Sequence, residues 1–129
     1  MSEQFEIFKC NVCGNIVEVL SAGVGQLVCC SVPMEQLSAQ SNDNEYQEKH
    51  VPIVTIEGET KTIRVGSIPH PMEKEHYIMF IEAISPDKNY LKRKYLTSNE
   101  EPKLEIKNCD CKDVIARELC NIHGLWKSK

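Results

Sequence analysis

Nowhere do the 129 residues offer the run of ~20 apolar residues that a membrane helix requires. The opening MSEQFEIFKC has neither a basic start nor an apolar core. The chain is therefore expected to lack a secretory signal and to stay in the cytoplasm. It carries no basic tail or stripe, and its net charge of −4 leaves no electrostatic footprint for nucleic acid. A mild overall charge does not exclude a small anionic substrate, because a local positive field overrides it. Internal repeats and low-complexity tracts are absent. Histidine is scarce, with four residues in all, and this scarcity makes their positions informative.

What the chain does have is cysteine. Seven thiols in a protein expected to remain in a reducing compartment point to metal binding or redox chemistry. Their odd number also argues against a closed set of disulfides. Aliphatic, aromatic and cysteine residues make up 41% and charged residues 26%, as in an ordinary globular protein.

Two regions follow different patterns. Residues 1–37 hold four of the cysteines, and their short apolar pieces Ile16–Leu20 and Gln26–Val28 flank the glycine-bearing Ser21–Gly25, which predicts a hairpin. A segment this short rarely folds without a staple, since domains below about 40 residues usually need metal or disulfides. Residues 38–48, SAQSNDNEYQE, are polar and read as a linker. Residues 49–129 contain the runs HVPIVTIEG, TKTIRVGS, HYIMFIEAIS, NYLKRKYL, KLEIKN and DVIARELC, separated by turn signals such as Glu57-Gly58 and Ser85-Pro86-Asp87. Six or seven short strands predict a mainly β protein with an immunoglobulin-like β-sandwich. The run DVIARELC also reads as an amphipathic helical turn.

Cys10-Asn11-Val12-Cys13-Gly14 has the form of a metal knuckle, and Cys29-Cys30 supplies a second, directly adjacent pair. Four thiolates suit a tetrahedral ion, either zinc as a plain staple or a single iron. An adjacent pair is unusual for zinc ribbons. The histidines share a context of their own. His50 is expected to open a strand, His70 lies between Pro69 and Pro71, His76 is expected to begin the next strand, and His123 sits in Cys120-Asn121-Ile122-His123-Gly124. All fall at strand ends or loops, and loops at one end of a sandwich converge.

The motifs KCNVCGNIVEVL, LVCC, EKHVP, HPMEKEHYI and CNIHGLWK, in this order, resemble desulfoferrodoxin, the two-domain superoxide reductase family. The resemblance covers nearly the whole chain. It implies an N-terminal desulforedoxin-like (rubredoxin-like) domain with iron on Cys10, Cys13, Cys29 and Cys30. It further implies a catalytic iron on His50, His70, His76, His123 and Cys120 in the immunoglobulin-like domain, and a homodimer. The implied reaction adds one electron and two protons to superoxide to give hydrogen peroxide. Re-reduction would come from an external carrier such as rubredoxin.

That chemistry requires a metal that changes oxidation state, which excludes zinc from the second site. Four neutral imidazoles and one thiolate on ferrous iron leave a single net positive charge and an open sixth position. The resemblance places the thiolate axially, where Cys120 donates electron density toward the substrate side. Amides of the turn, including those of Asn121 and Ile122, are expected to donate to its sulfur. Lys49 is assigned to attracting superoxide and orienting a proton-donating water, and Lys74 is a weaker electrostatic candidate. Glu48 is assigned as a sixth ligand that closes on the oxidised iron after turnover. Met72 and Trp126 read as packing residues.

Cys109 and Cys111 form a C-x-C without a role in this pattern and read as reduced loop thiols. Leu119 stands before Cys120 where many relatives carry an aromatic, so no role for such an aromatic transfers. The rival reading is a non-enzymatic iron or zinc protein, an electron carrier or interaction module, which the four cysteines alone would support. A non-haem iron oxygenase would use two histidines and a carboxylate, and no such set stands out. A dismutase differs in that its oxidised metal takes an electron back from superoxide.

Overall fold

The computed structural model describes residues 3–41, 47–107 and 113–128, with residues 47 and 48 described by their backbone alone. The chain forms two compact units, residues 1–38 and 39–129. Apart from one four-residue helical turn, the regular structure of the described residues is β.

In the first unit, strands β1 (Ile7–Lys9), β2 (Ile16–Glu18) and β5 (Glu35–Leu37) form an antiparallel sheet in the order β2-β1-β5. Strands β3 (Val28–Cys29) and β4 (Val32–Pro33) form a separate ribbon. The hairpin expected between Ile16–Leu20 and Gln26–Val28 does not form. Ile16 pairs instead with Lys9, and Cys29 pairs with Val32. Both chain reversals therefore fall on cysteines. In the first, the Cys10 amide donates to the Asn15 carbonyl at 2.8 Å, the Gly14 amide donates to the Cys10 carbonyl at 2.9 Å, and Gly14 adopts φ +85°. In the second, Cys30 and Ser31 have φ of 51° and 64°. Two consecutive left-handed residues give the twist that a two-residue hairpin loop needs. Glycine spacing suggested where the chain is permissive, but pairing decided where it turns. Ile7 and Cys10 are this unit's fully buried side chains among the described residues, so its apolar core is very small.

The second unit is a seven-stranded sandwich preceded by helix α1 (Gln47–His50). One sheet, ordered β10-β7-β6, joins β6 (Pro52–Glu57), β7 (Thr60–Val65) and β10 (Lys103–Lys107). The other, ordered β12-β11-β8-β9, joins β8 (Ile78–Ile84), β9 (Leu91–Tyr95), β11 (Ile115–Cys120) and β12 (Gly124–Lys127). The run DVIARELC is thus a strand, not a helical turn, because its alternate residues Ala116 and Cys120 enter the core between the sheets. That core also contains Ile63 and Val65 from β7, Ile78 and Ile81 from β8, and Leu104 from β10. Gln40, in the segment expected as a linker, is held by β12. Its amide donates to the Leu125 carbonyl and its carbonyl accepts from the Lys127 amide, each at 2.9 Å.

Across the second sheet, Arg117, Glu82 and Arg93 stand in register on three neighbouring strands. The fully buried Glu82 accepts from Arg93 at 2.8 and 3.1 Å and pairs with Arg117 at 2.5 Å. A one-residue slip would turn these charges to opposite faces, so the row opposes misregistration. Next to the row, the β8–β11 ladder shifts register between Leu119 and Cys120, where Cys120 faces Ile78 and Met79 is the extra residue. This bulge keeps Ile78 turned inward beside Cys120, and bulges of this kind re-aim side chains at strand ends. Glu82→Ala is expected to lower the stability of the sandwich by about 3 kcal/mol or more, as loss of one partner from a buried ion pair does. Urea unfolding of the variant measures this directly.

Candidate metal centres

The two cysteine turns of the first unit face each other. The sulfurs of Cys10, Cys13, Cys29 and Cys30 lie within 4.8 Å of one another. Cys10 is buried and Cys13 and Cys30 are exposed, so the cluster has a solvent-facing edge. The Cys13 amide points at the Cys10 sulfur at 3.5 Å, and the Asn15 amide group approaches Cys29 at 3.9 Å. Amides of Cys13 and Val12 pull the Cys10 thiol down to about 6. Cys30 is pushed up to about 12, first by its hydrogen bond to Cys13, and Cys29 is raised first by its bond to Cys10. Four negative sulfurs at this spacing would repel, so the cluster does not hold four thiolates without a compensating charge. A cation removes that conflict, and tetrahedral thiolate sites hold iron or zinc.

In the second unit, ligand atoms of His50, His70, His76 and Cys120 lie within 4.8 Å of one another. His123 completes the set, with Nδ1 at 3.1 Å from His50 Nε2 and 3.8 Å from Cys120 Sγ. These side chains come from separate places. His50 ends α1, two residues before β6, and does not open a strand. His70 follows β7 in the Pro69–Pro71 turn, His76 precedes β8 by two residues, and Cys120 and His123 bracket the β11–β12 turn.

The four imidazoles form a closed circuit. Successive ring centroids, His50–His70–His76–His123–His50, are 4.7, 4.7, 5.1 and 4.8 Å apart, and each neighbour is steeply tilted to the next. The diagonal from His50 to His76 is 6.5 Å, near that of a flat square with those edges. Cys120 Sγ lies 3.5 Å from His70 Nε2 and accepts from the His123 amide at 3.3 Å.

Several observations fit a redox metal here. His70 Nδ1 lies 2.6 Å from the Pro71 carbonyl, which makes Nδ1 the protonated nitrogen and leaves the Nε2 lone pair facing the cluster. Burial lowers His70 to about 4, so it is neutral at physiological pH. His76 Nε2 is buried without a hydrogen-bond partner. An unpartnered buried nitrogen is costly in the metal-free protein and is satisfied by coordination. Five nitrogen and sulfur donors without a carboxylate suit iron and disfavour calcium or magnesium.

A family profile described as Desulfoferrodoxin matches residues 42–129, and one described as Desulfoferrodoxin, N-terminal domain, matches residues 2–37. The chain belongs to the desulfoferrodoxin family. It is 49% identical over 128 residues to a desulfoferrodoxin homolog of Archaeoglobus fulgidus, with 99% of each chain covered. It is 44% identical over 130 residues to the desulfoferrodoxin of Nitratidesulfovibrio vulgaris, covering 100% of this chain and 99% of the relative. The crystal structure of the superoxide reductase from Treponema pallidum superimposes with a TM-score of 0.75 at 26% identity, with 100% of each chain covered. The two donor clusters are those of the family, and both are consistent with iron.

Other residues surround the second cluster in ways the sequence did not indicate. Trp126, expected only to pack, stacks on His50 at 5.0 Å and 24° and donates through Nε1 to the His123 carbonyl at 3.1 Å. Gln40 Nε2 donates to the same carbonyl at 3.2 Å. Met72 packs against the core as expected. Glu118 is fully buried with neither oxygen hydrogen-bonded, and burial raises its carboxyl well above the usual range. Strand alternation from Cys120 was the available signal for it. Burial raises the Cys120 thiol, while amides of His123 and Ile122 lower it. The Asn121 amide, expected to join them, turns instead to the Tyr77 carbonyl at 3.2 Å. Lys49 is exposed, and its charge is one of the influences that lower His76, after burial and His123. Lys74 is also exposed. The side chain of Glu48, and Cys109 and Cys111, lie outside the described residues.

Cys13→Ser is expected to remove the metal of the first unit while the second cluster still loads. Iron per chain should fall from two to one with loss of only one ferric absorption signature.

Proposed function

We propose that the chain is a superoxide reductase, adding one electron and two protons to superoxide to release hydrogen peroxide. The observation that carries this reading is the square of four imidazoles with one thiolate beside it. Iron bound there supplies the electron and one coordination position beyond the five protein donors. The residues do the rest. His50, His70, His76 and His123 bind as neutral ligands, so the Cys120 thiolate is the one negative donor and the site keeps a net positive charge toward an anion. Amides of Ile122 and His123 steady the sulfur. Relatives named superoxide reductase, among them one of Pyrococcus abyssi at 33% identity over 98 residues, support the same reaction.

Lys49 is assigned to drawing superoxide in and to holding a water that gives up a proton. Its support is its exposure beside the ligand His50 and its electrostatic reach to His76. Glu48 is assigned as the carboxylate that occupies the substrate position after turnover. The first unit holds its own iron on Cys10, Cys13, Cys29 and Cys30. Electrons come from a small external carrier of the rubredoxin kind, and the working form is a homodimer in the cytoplasm, a compartment that keeps ligand thiols reduced.

Two variants test the reading by pulse radiolysis of the reduced protein. Cys120→Ser is expected to abolish superoxide reduction, and retained turnover would remove the thiolate from the mechanism. Lys49→Met is expected to slow superoxide capture by about tenfold and to flatten its dependence on ionic strength. A reduced protein that transfers electrons yet leaves superoxide untouched would favour the carrier reading instead.

A further inference from the structure

Three of the four imidazoles are oriented by protein outside the ring cluster. His50 lies against Trp126, His70 is fixed through Nδ1 by the Pro71 carbonyl, and the His123 carbonyl receives two donors, Trp126 and Gln40. His76 differs. Its backbone bonds are purely local, with the Glu73 amide donating to the His76 carbonyl at 2.9 Å and the His76 amide to the Glu73 carbonyl at 3.2 Å. Its Nε2 is buried without a partner. Asn121 ties this loop to the turn that carries Cys120 and His123.

The Asn121 side chain grips both neighbours of His76. Its Oδ1 accepts from the Tyr77 amide at 2.9 Å, and its Nδ2 donates to the Glu75 carbonyl at 2.9 Å. Its own amide donates to the Tyr77 carbonyl at 3.2 Å. Asn121 stands between Cys120 and His123, so one residue joins the turn bearing two ligands to the loop bearing a third. A primary amide is suited to this task, because it offers a donor and an acceptor in one plane at fixed separation.

We propose that Asn121 is a positioning residue that sets His76 against the Cys120–His123 turn, and so determines iron affinity and ligand field at the second centre. The bland alternative is a surface turn residue that stabilises its loop without reaching the metal. The proposal rests on the reading that this cluster holds iron, and the test separates the two.

The test is a double-mutant cycle of Asn121→Ala and His76→Ala in the full chain, reading ferrous iron affinity by chelator competition and the visible spectrum of the cobalt(II)-loaded protein. In the native background Asn121→Ala is expected to weaken iron binding about tenfold or more, the usual cost of losing a partner that orients a ligand. Its cobalt spectrum should move toward that of His76→Ala. In the His76→Ala background the same substitution should change affinity less than about twofold, since its effect runs through the missing ring. Asn121→Ser repeats the cycle with a residue that favours turns but cannot satisfy the Tyr77 amide and the Glu75 carbonyl together. It supplies the answer if the alanine variant does not fold. Equal losses in both backgrounds, or an unchanged affinity and spectrum in the native one, overturn the positioning role. A native chain that binds no iron at this cluster overturns the metal reading beneath it.

Discussion

Nitrogen lone pairs and a sulfur that converge on one small volume are tolerable only if something positive stands among them. That convergence is the constraint on which the end of the sandwich depends. Bringing His50 Nε2 within 3.1 Å of both His70 Nε2 and His123 Nδ1 gives up hydration of the rings. The buried, unpartnered His76 Nε2 adds to the cost. Coordination reverses each of these penalties, so binding energy and folding energy of this region are partly one quantity. The supporting contacts make sense as preparation for it. The Pro71 carbonyl fixes a tautomer, Trp126 holds a ring plane, and Asn121 links two loops.

The sandwich supplies stiffness. Its charged row of Arg117, Glu82 and Arg93 opposes a slip of β8 or β9, and the bulge at Met79 keeps Ile78 turned inward beside Cys120. A one-residue slip in β11 would turn the Cys120 sulfur to the other face of the sheet. The fold is thus tied to function through register: the site is built from strand ends, and the ends are only as well placed as the pairing that precedes them.

The first unit depends on the same principle with less scaffolding. With so little buried apolar surface, its shape is carried by two tight turns that present sulfur pairs to each other. The adjacent Cys29-Cys30 pair, odd for a zinc ribbon, is explained by the left-handed geometry at Cys30 and Ser31. One cysteine closes the ladder and the next lies in the two-residue loop.

The ligands themselves were legible in the sequence because chemistry is carried by residue type. Four scarce histidines at predicted loops, a Cys-x-x-His turn and two cysteine pairs name both donor sets, and period-two runs name a sandwich. Where those runs pair was less legible, since pairing depends on contacts between segments distant in sequence. Hence the hairpin expected around Gly23–Gly25 gave way to ladders at Lys9–Ile16 and Cys29–Val32. Residues that orient the ligands were hidden for the same reason. Gln40 reads as linker and Asn121 as turn filler until folding brings them beside His123 and His76. Residue types name the atoms that can bind metal. Folding brings five of them together from a span of 74 residues, His50 to His123, as a square of four imidazoles with one sulfur beside it. Donor identity is a local property of a side chain, whereas convergence belongs to the packed sheets as a whole.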